Sequence, residues 1–63
     1  MEIGQKVKVI RLRDRVSSTI AQKLGEIGII QGYKVTDGAG IGVVVKFEDN
    51  FSTWFFADEI KPA

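Results

Sequence analysis

The sequence predicts an all-β fold of short strands closed on themselves, and three observations point there. Lys6-Val7-Lys8-Val9 alternates polar and apolar residues, and Val43, Val45 and Phe47 recur at the same period of two, the signature of half-buried strands. Seven glycines and a single proline punctuate the chain at short intervals, as frequent turns between short strands require. Finally, 63 residues without a cysteine must fold around one economical core. A chain of this size buries only about 60% of the surface it exposes when unfolded.

Gly4-Gln5 leads into the first strand, in which Val7 and Val9 share a face. Ile10 and Leu12 have the opposite parity, so a bulge or sharp bend is expected near Val9-Ile10. Between Asp14 and Gly25, the residues Val16, Ile20 and Leu24 recur every fourth position, which predicts a helical insertion of about two turns. Ser17 or Ser18 would cap its start and Gly25 would supply the left-handed residue past its end; a plain ordered loop is the alternative. Glu26 to Tyr33 reads as a second strand with Ile27 and Ile29 on one face. Gly28 and Gly32 inside it mark a bend or a close backbone approach.

Lys34 to Gly40 reads as a long flexible loop holding an Asp37-Gly38 turn. Ile41 to Phe47 is the third strand, Glu48-Asp49-Asn50-Phe51 a hairpin connection, and Ser52 to Phe56 the fourth strand. Ala57-Asp58-Glu59 predicts one helical turn before a short closing strand, Ile60-Lys61. This order defines a small SH3-like barrel of four to five strands with a short helical insertion in the first long loop, a single domain over residues 1–63. Wrapping a small sheet on itself protects its edges. An open α+β sheet is the structural alternative.

The net charge of +1 hides a polarity along the chain. Residues 1–34 hold seven Lys/Arg against three Asp/Glu, whereas residues 35–63 hold two against five. Lys6, Lys8, Arg11, Arg13 and Arg15 fall within ten positions. Such a chain can present a basic and an acidic face, or merely a solvated strand edge and ordinary acidic turns. The longest nearly uninterrupted apolar run, Ala39 to Val45, is far short of the ~20 residues of a membrane-spanning helix. The N-terminus has no charged region followed by an apolar run, so no signal peptide is expected.

Catalytic readings meet several negatives. There is no His for acid–base work near neutral pH and no Cys nucleophile. Ser17, Ser18 and Ser52 have no imidazole partner, so no triad can be built. Glu48-Asp49 and Asp58-Glu59 are adjacent pairs beside predicted turns, where neighbours point to different sides. Asp37, Glu48 and Asp49 are too sparse for a site of oxygen ligands. Gly38-Ala39-Gly40-Ile41-Gly42 lacks both the Lys-Ser/Thr ending and the following helix of a phosphate loop. The chain therefore reads as a soluble, non-enzymatic binding module without a metal site.

Two features could bind. Alternate arginines in Arg11-Leu12-Arg13-Asp14-Arg15 can clamp carboxylates or phosphates from one face, although Asp14 between them repels phosphate. Three successive aromatics, Trp54-Phe55-Phe56, cannot all face one core, so at least one ring is left to anchor an interface or lie under the insertion. The plain alternative is that a barrel this small uses every ring as core. The candidate protein-binding residues are Lys8, Arg11, Arg13 and Arg15, with Trp54 or Phe55 as the apolar anchor.

Gly4-Gln5-Lys6-Val7-Lys8-Val9, Arg11-Leu12-Arg13-Asp14-Arg15-Val16, Lys23-Leu24-Gly25, Thr36-Asp37-Gly38, Gly42 to Phe47 and Ser52-Thr53-Trp54-Phe55-Phe56 together carry a family likeness. The chain resembles PetP proteins, the small peripheral subunits of the cytochrome b6f complex in cyanobacteria and red algae. Arg-Leu-Arg-Asp-Arg-Val and Thr-Trp-Phe-Phe are its most specific strings. The resemblance implies an SH3-like fold, no cofactor, and a peripheral position on the cytoplasmic side of the thylakoid membrane. It further implies binding to cytochrome b6f subunits and tuning of linear against cyclic photosynthetic electron flow. A monomer in isolation is expected, with neither nucleic acid nor a small-molecule substrate as partner. The alternatives are an SH3-like docking subunit of photosystem I or of a ferredoxin-linked complex, and an RNA-binding barrel, which strong salt dependence would betray.

Overall fold

The computed structural model describes residues 2–12, 17–36, 38 and 40–63, and for Thr36 the backbone alone. Five antiparallel strands form one sheet: β1 (Lys6–Val9), β2 (Ile27–Thr36), β3 (Gly40–Lys46), β4 (Ser52–Phe56) and β5 (Ile60–Pro62). Their order across the sheet is β4-β3-β2-β1-β5. The two edge strands are thus joined by a single 3₁₀ turn, Ala57–Glu59, and the sheet curls into the SH3-like barrel that the strand pattern predicts. A short helix, α1 (Ser18–Ala21), sits between β1 and β2.

Alternation decides which side of each strand is buried. Val7 and Val9 of β1, Ile30 of β2, Val43 and Val45 of β3, Phe47, Phe55 of β4 and Ile60 form the core. Leu12 and Phe51 from the loops and Ile20 from α1 pack against it. The Phe47 and Phe55 rings meet edge to face with centroids 6.0 Å apart. Gly28 lies where β2 crosses this core. A Cβ there would stand 2.8 Å from the Lys46 carbonyl oxygen and 2.5 Å from a Val45 methyl, so only hydrogen lets the strands approach.

Several elements differ in detail from the sequence expectations. β1 ends at Val9, and the Ile10 N–H donates to the Glu59 carbonyl, 2.8 Å, which extends the β1–β5 register by one residue. The β-bulge lies in β2, between Ile30 and Gly32. The insertion is one α turn, not two. Ser17 caps it by accepting from the Ile20 N–H, 3.2 Å, and Gly25 closes it at φ +87°. After Ala21 the hydrogen bonds shorten to Lys23 N–H to Ile20 C=O and Leu24 N–H to Ala21 C=O. That tighter winding breaks the four-residue spacing, leaving Leu24 exposed and turning Lys23 inward. Val16 lies outside the described residues.

The expected 34–40 loop is largely strand. Lys34, Val35 and Thr36 pair with Gly42, Ile41 and Gly40, because backbone ladder bonds propagate along a hairpin even where side chains bury little. Ile27 and Ile29 do share a face of β2, and it is the outer one, 51% and 45% exposed respectively.

A basic outer face as candidate docking surface

Cross-strand register brings lysines from three separate strands onto the outer side of the barrel. Residues directly opposite on neighbouring strands point to the same face with Cβ atoms about 5 Å apart. Lys46 of β3 faces Ile29 of β2, which faces Lys6 of β1. In the next row, Ile27 faces Lys8, which faces Lys61 of β5. All six side chains are exposed. Lys8 and Lys61 stand opposite each other with like charge, a pairing that disfavours the isolated sheet. Among the described residues, no ion pair engages any of these four lysines.

The same outer side carries aromatics toward β4. Trp54 pairs with Val44 and Phe56 with Gly42. The two rings meet edge to face, centroids 4.9 Å apart, and both are half-buried. Gly42 leaves room for the indole, since a Cβ there would lie 2.6 Å from Trp54 Cε3. Lys34 places its Nζ 5.7 Å from the Trp54 ring centroid, within cation–π range. Thus Lys6, Lys8, Lys34, Lys46 and Lys61, every lysine but one, decorate the outside of the sheet.

The exception is Lys23, which is 6% exposed. Its Nζ donates to Asp49 Oδ2 at 2.6 Å and stands 3.7 Å from Glu26 Oε1. It also lies 5.0 Å and 5.3 Å from the Phe47 and Phe51 ring centroids. The hydrogen bond to Asp49 holds the ammonium above the ordinary lysine value of 10.5, against the opposing effect of burial. The same bond, aided by the Phe51 N–H, holds the Asp49 carboxyl below the usual 3.8. This group ties the helical insertion to the β3–β4 turn and is structural. So is Glu59, fully buried, whose Oε1 accepts from the Phe56 N–H at 2.7 Å.

The predicted binding residues fare unevenly. Lys8 and Arg11 are exposed and Trp54 is half-buried on the outer side. Arg13 and Arg15 lie outside the described residues. Phe55 is fully buried, a correction to its reading as a possible anchor: on β4 it alternates with Trp54 and Phe56 and so points to the core, while those two rings lie on the outer side. Lys6 belongs to the basic run already legible in the sequence, whereas Lys46 and Lys61 were not among the sequence candidates, although Val45-Lys46-Phe47 and Ile60-Lys61 show each beside a core residue. Period-two alternation could have found them singly; their convergence depends on strand order.

Among the described residues, no group of three His, Cys, Asp or Glu side chains could hold a metal ion, and no helix is long and apolar enough to cross a membrane. A curled five-stranded sheet with a packed interior, a charged outer face and an aromatic end defines the class of small SH3-like β-barrel domains. The family model for cytochrome b6f, subunit Tsr0524-like, matches residues 3–61, and the chain belongs to this family. Over its whole length the chain is similar to the solution structure of the cyanobacterial cytochrome b6f complex subunit PetP, with 57% identity and a TM-score of 0.94, covering 80% of that chain. It is also 33% identical over 60 residues to uncharacterized protein ORF65 of Porphyra purpurea, covering 95% of this chain and 92% of the relative.

Proposed function

We propose that this chain is a non-catalytic, peripheral subunit of the cytochrome b6f complex, acting as one module and monomeric in isolation. It docks on the cytoplasmic side of the thylakoid membrane and regulates the division of electron flow between linear and cyclic routes. The observation that carries this reading is agreement in sequence and fold with a cytochrome b6f subunit along the whole chain. The contact with the complex is made by the basic segment Arg11, Arg13 and Arg15, with Lys8 beside it and Trp54 as its apolar anchor. Arginine forks hold carboxylates bidentately, which suits recognition of acidic loops on a protein partner.

The test is to tag the protein, solubilise membranes gently and identify what co-purifies across a salt series. Cytochrome b6f subunits are expected, released as salt rises because exposed charges are screened within about 10 Å at 0.1 M. An Arg13→Glu/Arg15→Glu variant is expected to fold normally and to lose the complex. Recovery of photosystem I, a ferredoxin-linked enzyme or RNA in place of cytochrome b6f would overturn the assignment. Undiminished co-purification of the charge-reversed variant would remove the arginine segment from the contact.

A further inference from the structure

We propose that the outer face of β5, β1, β2 and β3 binds the surface of an anionic lipid bilayer directly, separately from any contact with protein. Lys6, Lys8, Lys46 and Lys61 would lie over the headgroups while Ile27 and Ile29 enter between them. The proposal deepens the peripheral-subunit reading and rests on it for its setting, but it is a property of the isolated chain.

Four features of the face select this partner. First, the two cross-strand rows, Lys46–Ile29–Lys6 and Ile27–Lys8–Lys61, contain no carboxylate. Among the described residues, none of the four lysines is paired with one elsewhere. The face therefore carries uncompensated positive charge, including the directly opposed Lys8 and Lys61. An anionic surface would relieve that repulsion.

Second, the charges are all lysine. An ammonium is a compact point charge on a flexible stem, suited to a diffuse layer of headgroups. Shape-specific recognition of a protein carboxylate favours arginine forks. Third, lysines flank the two exposed isoleucines, Ile29 lying between Lys46 and Lys6 and Ile27 beside Lys8, and an apolar strip bordered by cations matches the boundary between acyl chains and headgroups. Lysine stems can lie along such a surface while their ammonium groups stay in water. Fourth, no described helix is long and apolar enough to cross a membrane, which is compatible with contact at the bilayer surface. Glu48, exposed just past the end of β3, flanks the face and marks its border.

The test uses the purified chain and sedimentation with vesicles, either of phosphatidylcholine alone or of an equal mixture of phosphatidylcholine and phosphatidylglycerol. Binding to the anionic vesicles, weakening as salt rises, and no binding to the neutral ones are expected. A Lys6→Gln/Lys46→Gln/Lys61→Gln variant, which spares Lys8, should keep its circular dichroism spectrum, since all three side chains are exposed. Its partitioning should fall about fivefold per lysine, equivalent to ~1 kcal/mol each. Ile27→Thr/Ile29→Thr should retain the strands and lose the binding that survives at high salt. The lysine variant should still co-purify with the complex in detergent, where no bilayer remains.

Failure of the wild-type chain to sediment with anionic vesicles at low salt would overturn the proposal and leave the peripheral-subunit reading intact. Equal sedimentation of the lysine variant would overturn it too. Loss of the complex in detergent by that variant would assign the face to an acidic protein surface and sink the lipid reading.

Discussion

Gly42 lacks a side chain where the Trp54 indole lies, and single positions of this kind decide how the outer face is shaped. A methyl group at that position would stand 3.2 Å from Cδ2 of the ring and only 2.6 Å from Cε3, the latter closer than any relaxed contact. Because Trp54 is only half-buried, the ring can yield by turning outward, so the fold should survive. Gly42→Ala is therefore expected to displace the only tryptophan of the chain from its edge-to-face contact with Phe56 and shift its fluorescence emission to longer wavelength. An emission maximum identical to wild type would show that the indole does not rest on the Gly42 backbone. Alternation explains why Phe55, one residue away, has the opposite fate.

Between elements, the Lys23 cluster joins the helical insertion to the β3–β4 turn, and its strength should follow pH. Asp49 is held below the ordinary carboxylate value of 3.8, so its contribution is present at neutral pH and lost as pH falls through that lowered value. Lys23 is held above 10.5, so its contribution is complete below 10.5 and lost as pH rises through the raised value. The urea midpoint of wild type should exceed that of Lys23→Met by most at pH 7, and the gap should narrow at pH 2 and again above pH 11. An unchanged gap at pH 2 would mean that ring contacts with Phe47 and Phe51, not the ion pair, hold the clamp. Ser17 and Gly25 were legible as the helix boundaries because capping chemistry is local. Lys23 was not legible, because its burial depends on partners brought from 26 residues away.

Across the molecule, the core is small enough for one residue to decide stability. Phe55 is fully buried at its centre and touches Phe47 edge-on. Deleting such a ring costs about 3–5 kcal/mol, against a total of roughly 3–9 kcal/mol for a chain of this size. Phe55→Ala is expected to lose most of its cooperative unfolding transition at room temperature, whereas Ile29→Thr, on the outer face, should unfold near the wild-type urea midpoint. A Phe55→Ala protein as stable as wild type would remove this ring from the centre of the core. Charge is also organised at this scale. The chain is basic in its first half and acidic in its second, yet Lys46 and Lys61 from the acidic half join Lys6 and Lys8 on the outer face through strand pairing.

By itself the sequence determined the class of fold, the strands after Ile41, the 3₁₀ turn at Ala57–Glu59 and the caps of the insertion. Those features depend on period-two alternation and on local turn chemistry, which neighbours in the chain carry. Only the tertiary structure decided that Ile27 and Ile29 face outward, that Trp54 and Phe56 and not Phe55 are the outer rings, that Lys23 is spent on an internal clamp, and that lysines from three strands form one patch. Each of those outcomes depends on strand order and register, which pair residues far apart in sequence and leave no mark at any single position.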